Sequence, residues 1–140
     1  MMIMPAMTSE AGTVSSQLQN WLIQLHLAPE SNPAYQGASL LISADCAGFA
    51  GGNLHRDFIA GRMTIIGCPK LDEVQVYVKK LSRMFAGNDI KDVTILRMEV
   101  HCCGGLPRMV KEAIKRSGKE LPVQDFIVKR FGGEAIEAGA

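Results

Sequence analysis

The chain alternates between short unbroken apolar runs and longer stretches in which apolar residues recur every three or four positions. Ala38–Ala44 (ASLLISA), Met63–Gly67 (MTIIG), a run within Lys91–Val100 (VTILRMEV) and Gln124–Phe131 all have strand length. Short, continuously apolar runs read as strands covered on both faces. Between the second and third runs, Leu71, Val74, Tyr77, Val78, Leu81 and Phe85 form a helical stripe closed by Gly87. Between the third and fourth, Leu106, Met109, Val110, Ala113 and Ile114 form another, opened by Pro107 and stopped by Gly118. Val14, Leu18, Trp21, Leu22 and Leu25 predict a further amphipathic helix before the first strand, and His55–Ala60 predict a helical turn after it.

Strand, helix, strand, helix, strand predicts an α/β fold, a three-layer open sheet of about four mainly parallel strands joined by crossover helices. The same pattern divides the chain into a flexible leader over 1–13, one domain over 14–133 and a flexible Gly- and Ala-rich tail over 134–140. At 140 residues the length suits a single core.

Composition narrows the classes of partner. Fifteen basic against fourteen acidic residues leave a net charge of +1, so no basic field is expected to grip nucleic acid. No apolar stretch approaches the roughly 18 residues that span a bilayer, and Met1–Ser9 lacks the basic start and apolar run of a signal peptide. The expectation is a cytoplasmic protein. Thiols stay reduced there, so four cysteines suggest metal or redox chemistry before a disulfide framework.

The cysteine spacing, C-x21-C-x33-C-C, matches no compact zinc or ferredoxin motif. Its meaning comes from the strands. Cys46, Cys68 and the Cys102–Cys103 pair each follow a predicted strand, and right-handed crossovers bring the carboxyl ends of parallel strands to one edge. Open α/β sheets build their binding sites on that edge. Cys68 and Cys103 are also expected just before helices, where free amides favour a thiolate, with Lys70 adding positive charge. Gly104 and Gly105 let the backbone pass close to a bulky centre. His55 is a candidate fifth ligand or hydrogen-bond donor to sulfur. Asp45 and His101 stand beside the cysteines, Asp45 as a turn former or acid and His101 pointing away along the strand; His26 reads as structural. Neighbouring cysteines suit a cluster of several irons better than a single ion.

ADC at Ala44–Cys46, the histidine of HRDF, IGCPKLD at Ile66–Asp72 and RMEVHCCGGL at Arg97–Leu106 together resemble part of certain ferredoxin-type iron–sulfur proteins of anaerobic bacteria and archaea. In those proteins an α/β region follows an eight-cysteine, two-cluster segment. NWLIQLHL at Asn20–Leu27 is similar to the junction between the two, and the likeness runs from about Ser15 to Phe131. It implies that Cys46, His55, Cys68, Cys102 and Cys103 are the family's motif positions. Two departures stand out: the 140 residues carry no ferredoxin segment, and His101 occupies a position where proline is expected.

The sequence therefore predicts a redox or sensing module rather than a stand-alone enzyme, with a [4Fe–4S] cluster on Cys46, Cys68, Cys102 and Cys103. A ferredoxin-like protein or an oxidoreductase is its expected electron partner. One alternative is a zinc protein, extending to a zinc-dependent lyase or hydrolase, with three thiolates, or two and His55, and a position left for water. A lesser alternative is a thiol–disulfide switch at Cys102 and Cys103.

Overall fold

In the computed structural model, which describes residues 12–131 and 134–138, the apolar runs are strands: β1 (Ser39–Ala44), β2 (Arg62–Gly67), β3 (Asp92–Met98) and β4 (Val123–Val128). The two strong helical stripes are α2 (Val74–Gly87) and α3 (Gly105–Ser117); a four-residue helix, α1 (Ala47–Ala50), precedes them. The sheet runs β2-β1-β3-β4-β5, its first four strands parallel and β5 (Ile136–Glu137) antiparallel at the edge. Ile42 lies level with both Ile65 of β2 and Ile95 of β3, so the strand centres form one apolar row.

The chain steps from β1 to β2 in one direction, then returns past β1 to β3 and β4. Right-handed crossovers therefore place α1 and the following turn on one face, and α2 and α3 on the other. The side chains agree. Tyr77 of α2 packs against Gly67 on one face, while Phe58 meets Phe126 edge-on at 5.2 Å on the other. Tyr77, Val78, Leu81, Met84 and Phe85 of α2 are buried, as are Leu106, Met109, Val110 and Ala113 of α3. These rows follow the helical period and seal the three layers. Gly118 ends α3 with φ 78°, a left-handed conformation that glycine adopts without a Cβ clash.

Three expectations are corrected. The stripe from Val14 to Leu25 is not a helix but an extended strap along the free edge of β2. An edge strand leaves amides and carbonyls without partners, and the strap supplies them. Ile66 N–H donates to Ile23 O at 2.8 Å, and Leu25 N–H donates to Ile66 O at 2.9 Å. The Asn20 side chain clamps Thr64 by donating to its carbonyl and accepting from its N–H, each at 2.8 Å. Val14 and Trp21 remain exposed, so the apparent stripe never formed one buried face.

The expected fraying tail instead adds β5. Ile136 and Glu137 pair with Ile127 and Phe126, and Ala138 N–H donates to Asp125 O at 2.7 Å, closing what would be an open edge of β4. Finally, α2 starts at Val74, not beside Cys68, and Leu71 is exposed. Cys68 therefore sits in a loop ahead of the helix. Residues 1–11 of the predicted leader lie outside the described residues. No helix among the described residues is long and apolar enough to cross a membrane.

Candidate thiolate site at the carboxyl edge

The chain reverses its winding direction between β1 and β3. Where neighbouring crossovers leave on opposite faces, the carboxyl ends of the two strands part into a crevice. Cys46 stands just beyond β1 and the Cys102–Cys103 pair just beyond β3, so both flank that crevice. Cys68 follows β2, on the other side of β1.

The loops close part of this distance. Gly105 faces the Pro69 side chain, with the position of a Cβ at 3.8 Å from it, so the segment after Cys68 reaches over β1 to the start of α3. Cys103 is 6% exposed. Burial pushes its thiol pKa up, a backbone contact with Met98 opposes this, and the neighbouring Cys102 and Cys68 sulfurs raise it further. Cys68, Cys102 and Cys103 thus share one field. Cys46 is exposed and is not among the groups that shift Cys103. All four cysteines are free.

Around them, Gly104 has open space where a side chain would project, and Lys70 and His101 are exposed. His55 opens a π-helical turn (His55–Ile59), and its Nδ1 accepts from Gln17 N–H at 3.1 Å, which ties it to the strap. That bond leaves Nε2 as the nitrogen for any further partner.

A polar cluster that the sequence reading missed supports the Cys68 loop. Tyr77 Oη donates to Asp72 Oδ2 in a short hydrogen bond and accepts from Cys68 N–H at 3.2 Å. The His26 ring packs against the Tyr77 ring at 4.7 Å between centroids and a 45° tilt, with Nε2 3.6 Å from Asp72 Oδ1. Asp72 N–H donates to Cys68 O at 3.1 Å, which closes the loop on itself. Burial and the bond to Asp72 hold the Tyr77 hydroxyl far above its ordinary range. Asp45, just beyond β1, has its carboxyl pKa raised by burial and by Asp72, opposed by a side-chain hydrogen bond from Gln24. The signal for this cluster was Asp72 within IGCPKLD. Tyr77 read as one more core position in a helical stripe, and His26 fell on a segment expected to be helical.

The donor set suits a thiophilic centre. Sulfurs crowded into one field repel each other once ionised, and a soft cation shared among them removes that cost. Among the described residues no three His, Cys, Asp or Glu side chains already converge on one point. Cys46 and Cys102 are exposed, Cys68 is half-buried and Cys103 is buried.

Two hollows flank the edge on the α1 face. One, of about 590 Å³, lies over Leu96 and Val128 between Gly51–Phe58 and Glu134–Ala135. The other, of about 240 Å³, lies between the strap and β1–β2.

Residues 32–139 match the family model described as a Rossmann-like domain. An uncharacterized protein of Archaeoglobus fulgidus is 29% identical over 116 residues, covering 83% of this chain and 81% of that protein. No solved structure matches.

Proposed function

The chain belongs to the Rossmann-like domain family, and from that premise we propose that it is an iron–sulfur redox domain whose cluster is held by Cys46, Cys68, Cys102 and Cys103. One observation carries this reading. All four thiols of the chain stand just past the ends of three adjacent parallel strands, and Cys103 already senses two of the others. A bound [4Fe–4S] cluster would supply one-electron chemistry.

The chain's own residues support such a centre in definite ways. Tyr77 and Asp72 fix the backbone of the Cys68 loop. The open side of Gly104 leaves space beside Cys103. With Nδ1 accepting from Gln17 N–H, the His55 ring carries its proton on Nε2, which can donate a hydrogen bond to sulfur; ligation would require the bond to Gln17 to break. An electron partner, a ferredoxin-like protein or an oxidoreductase, would dock at the exposed rim formed by Cys46, Lys70, His101 and Cys102. Free thiols of this kind belong in a reducing compartment, so the cytoplasm is the proposed location.

Zinc is a second reading, favoured by the contrast between exposed Cys102 and buried Cys103. With Cys102 turned outward, a single ion would take Cys46, Cys68 and Cys103 and keep a position for water. Anaerobic purification with iron, acid-labile sulfide and zinc measured per chain separates the two. Iron and sulfide at about four each support the cluster. Zinc at about one without sulfide supports the second reading. Protein that binds neither, even after reconstitution with iron and sulfide, contradicts both.

A further inference from the structure

Charge is spread unevenly over the layers. α2 and α3 carry seven of the fifteen Lys and Arg residues and one of the fourteen acidic ones, Glu112, a net +6. The rest of the chain is −5. The overall +1 is thus the difference between two regions of opposite sign.

The helical period sorts the basic residues onto one surface. α2 buries Tyr77, Leu81 and Phe85 against the sheet, which turns Val76, Lys79 and Arg83 outward, all three exposed. α3 buries Leu106, Met109, Val110 and Ala113, which turns Arg108, Lys111 and Lys115 outward, also exposed. Steps of three and four residues make each outward row a continuous ridge. Both helices follow parallel strands on the same face, so the two ridges run side by side from the carboxyl edge. Packed helices stand roughly 8–10 Å apart, and seven helical residues rise about 10 Å. Neighbouring charges therefore lie within about one Debye length, roughly 10 Å at about 0.1 M salt, and act as one field.

Local ion pairs take up only part of that field. Arg83 reaches Glu30 at 2.8 Å and Arg116 reaches Glu112 at 2.8 Å. Among the described residues, Lys79, Arg108, Lys111 and Lys115 have no ion-pair partner. At the carboxyl-edge end, exposed Leu71 and Val76 border the charges, and Arg108 stands in the first turn of α3, just past the cysteine pair. A small apolar spot beside charge of one sign suits a transient protein interface.

We propose that the outer face of α2 and α3 docks an acidic protein, steered by Lys79, Lys111 and Lys115 and seated on Leu71 and Val76. Its role rests on the redox reading: the acidic protein is the electron carrier, and Arg108 holds it beside the cysteines. Nucleic acid fits less well. It runs on past the helices toward the negative remainder of the chain, and no exposed aromatic stands on either ridge to stack a base. An anionic bilayer needs a broad apolar face to bury, and this one offers only Leu71 and Val76 beside its charges.

The test titrates the whole chain, purified without oxygen, with an acidic plant-type [2Fe–2S] ferredoxin by isothermal calorimetry. Iron and sulfide are assayed on each sample. Saturable binding is expected at about 20 mM salt, weakening at least about tenfold by about 200 mM. Lys79→Glu combined with Lys111→Glu should weaken binding at least about tenfold at low salt. The introduced carboxylates gain Arg83 and Lys115 four residues on, so the helices keep their stability. Lys91→Glu, exposed at the amino end of β3 and far from the ridges, should leave affinity within about twofold. No binding at low salt, equal binding by the double variant, or tighter binding of a short DNA duplex or phosphatidylserine vesicles would overturn the proposal. A chain that holds its cluster but ignores the ferredoxin refutes the docking face and leaves the redox reading standing. A chain that binds the ferredoxin without holding a cluster supports the docking face and refutes the redox reading.

Discussion

Gly67 ends β2, immediately before Cys68, and its lack of a side chain is a packing requirement. A Cβ there would stand 2.8 Å from Tyr77 Oη and 2.9 Å from Cε2 and Cζ of the same ring. Carbon contacts are comfortable at roughly 3.5–4.0 Å, so Gly67→Ala must push the ring away by the better part of an ångström. Tyr77 is fully buried and its hydroxyl is engaged by both Asp72 and Cys68 N–H, so the ring cannot swing aside freely. Overpacking of this kind costs about 1–3 kcal/mol. A weakened hydrogen bond at the hydroxyl adds about 1 kcal/mol. The gain from replacing glycine within a strand returns about 0.5–1 kcal/mol. The net expectation is a loss of about 1–3.5 kcal/mol, read as a lower urea midpoint with unchanged slope. Gly67→Ala combined with Tyr77→Leu, which makes room, should cost less than the sum of the two single changes. If Gly67→Ala lies within about 0.5 kcal/mol of the parent, the argument that Tyr77 fixes the Cys68 loop fails.

Other consequences follow from the same structure. Arg97 and Asp125 form a two-pronged ion pair at 2.9 and 3.1 Å on neighbouring strands, each 18% exposed. Asp125→Ala should therefore lower stability by about 1–3 kcal/mol in urea denaturation, below the cost at a fully buried pair. Asn20→Ala removes both clamps on Thr64, and hydrogen exchange should show faster exchange at Leu25 and Ile66 while β1 and β3 stay protected. Burial raises the pKa values of Tyr35, Tyr77 and Cys103, so the folded chain keeps protons that the unfolded chain releases. That stabilisation is complete below about pH 8 and is lost as pH rises past the unfolded thiol and phenol values and through the folded ones, so the urea midpoint of metal-free protein should fall from about pH 8.5 upward. In the same protein iodoacetamide should label exposed Cys46 and Cys102 well before buried Cys103, as followed by mass spectrometry.

Most of the fold was legible because its signals are local. The runs ASLLISA and VTILRMEV can bury both faces only as central strands, and both became β1 and β3. The spacing of Tyr77, Leu81 and Phe85 places those residues on one side of a helix, whatever it packs against. The strap was misread because Leu18, Leu22 and Leu25 carry helical spacing, whereas what decides their conformation is the unpaired edge of β2, a feature distant in sequence. β5 was missed for the same reason: Ile136 and Glu137 have no pattern of their own and pair because β4 offers an open edge. At the site, parallel topology alone brought Cys46, Cys68, Cys102 and Cys103 to one edge. The Tyr77–Asp72–His26 cluster joins a helix, a loop and the strap, and no single stretch of sequence contains it.

The central claim is that three strand ends share one centre. Its most direct test is the metal content of Cys46→Ser, Cys68→Ser, Cys102→Ser and Cys103→Ser, each purified without oxygen and compared with the parent chain. A shared cluster predicts that every variant loses most of its iron and sulfide and the broad absorption near about 400 nm. Metal content that stays at the parent level when Cys46 or Cys68 is replaced would contradict a centre spanning β1, β2 and β3.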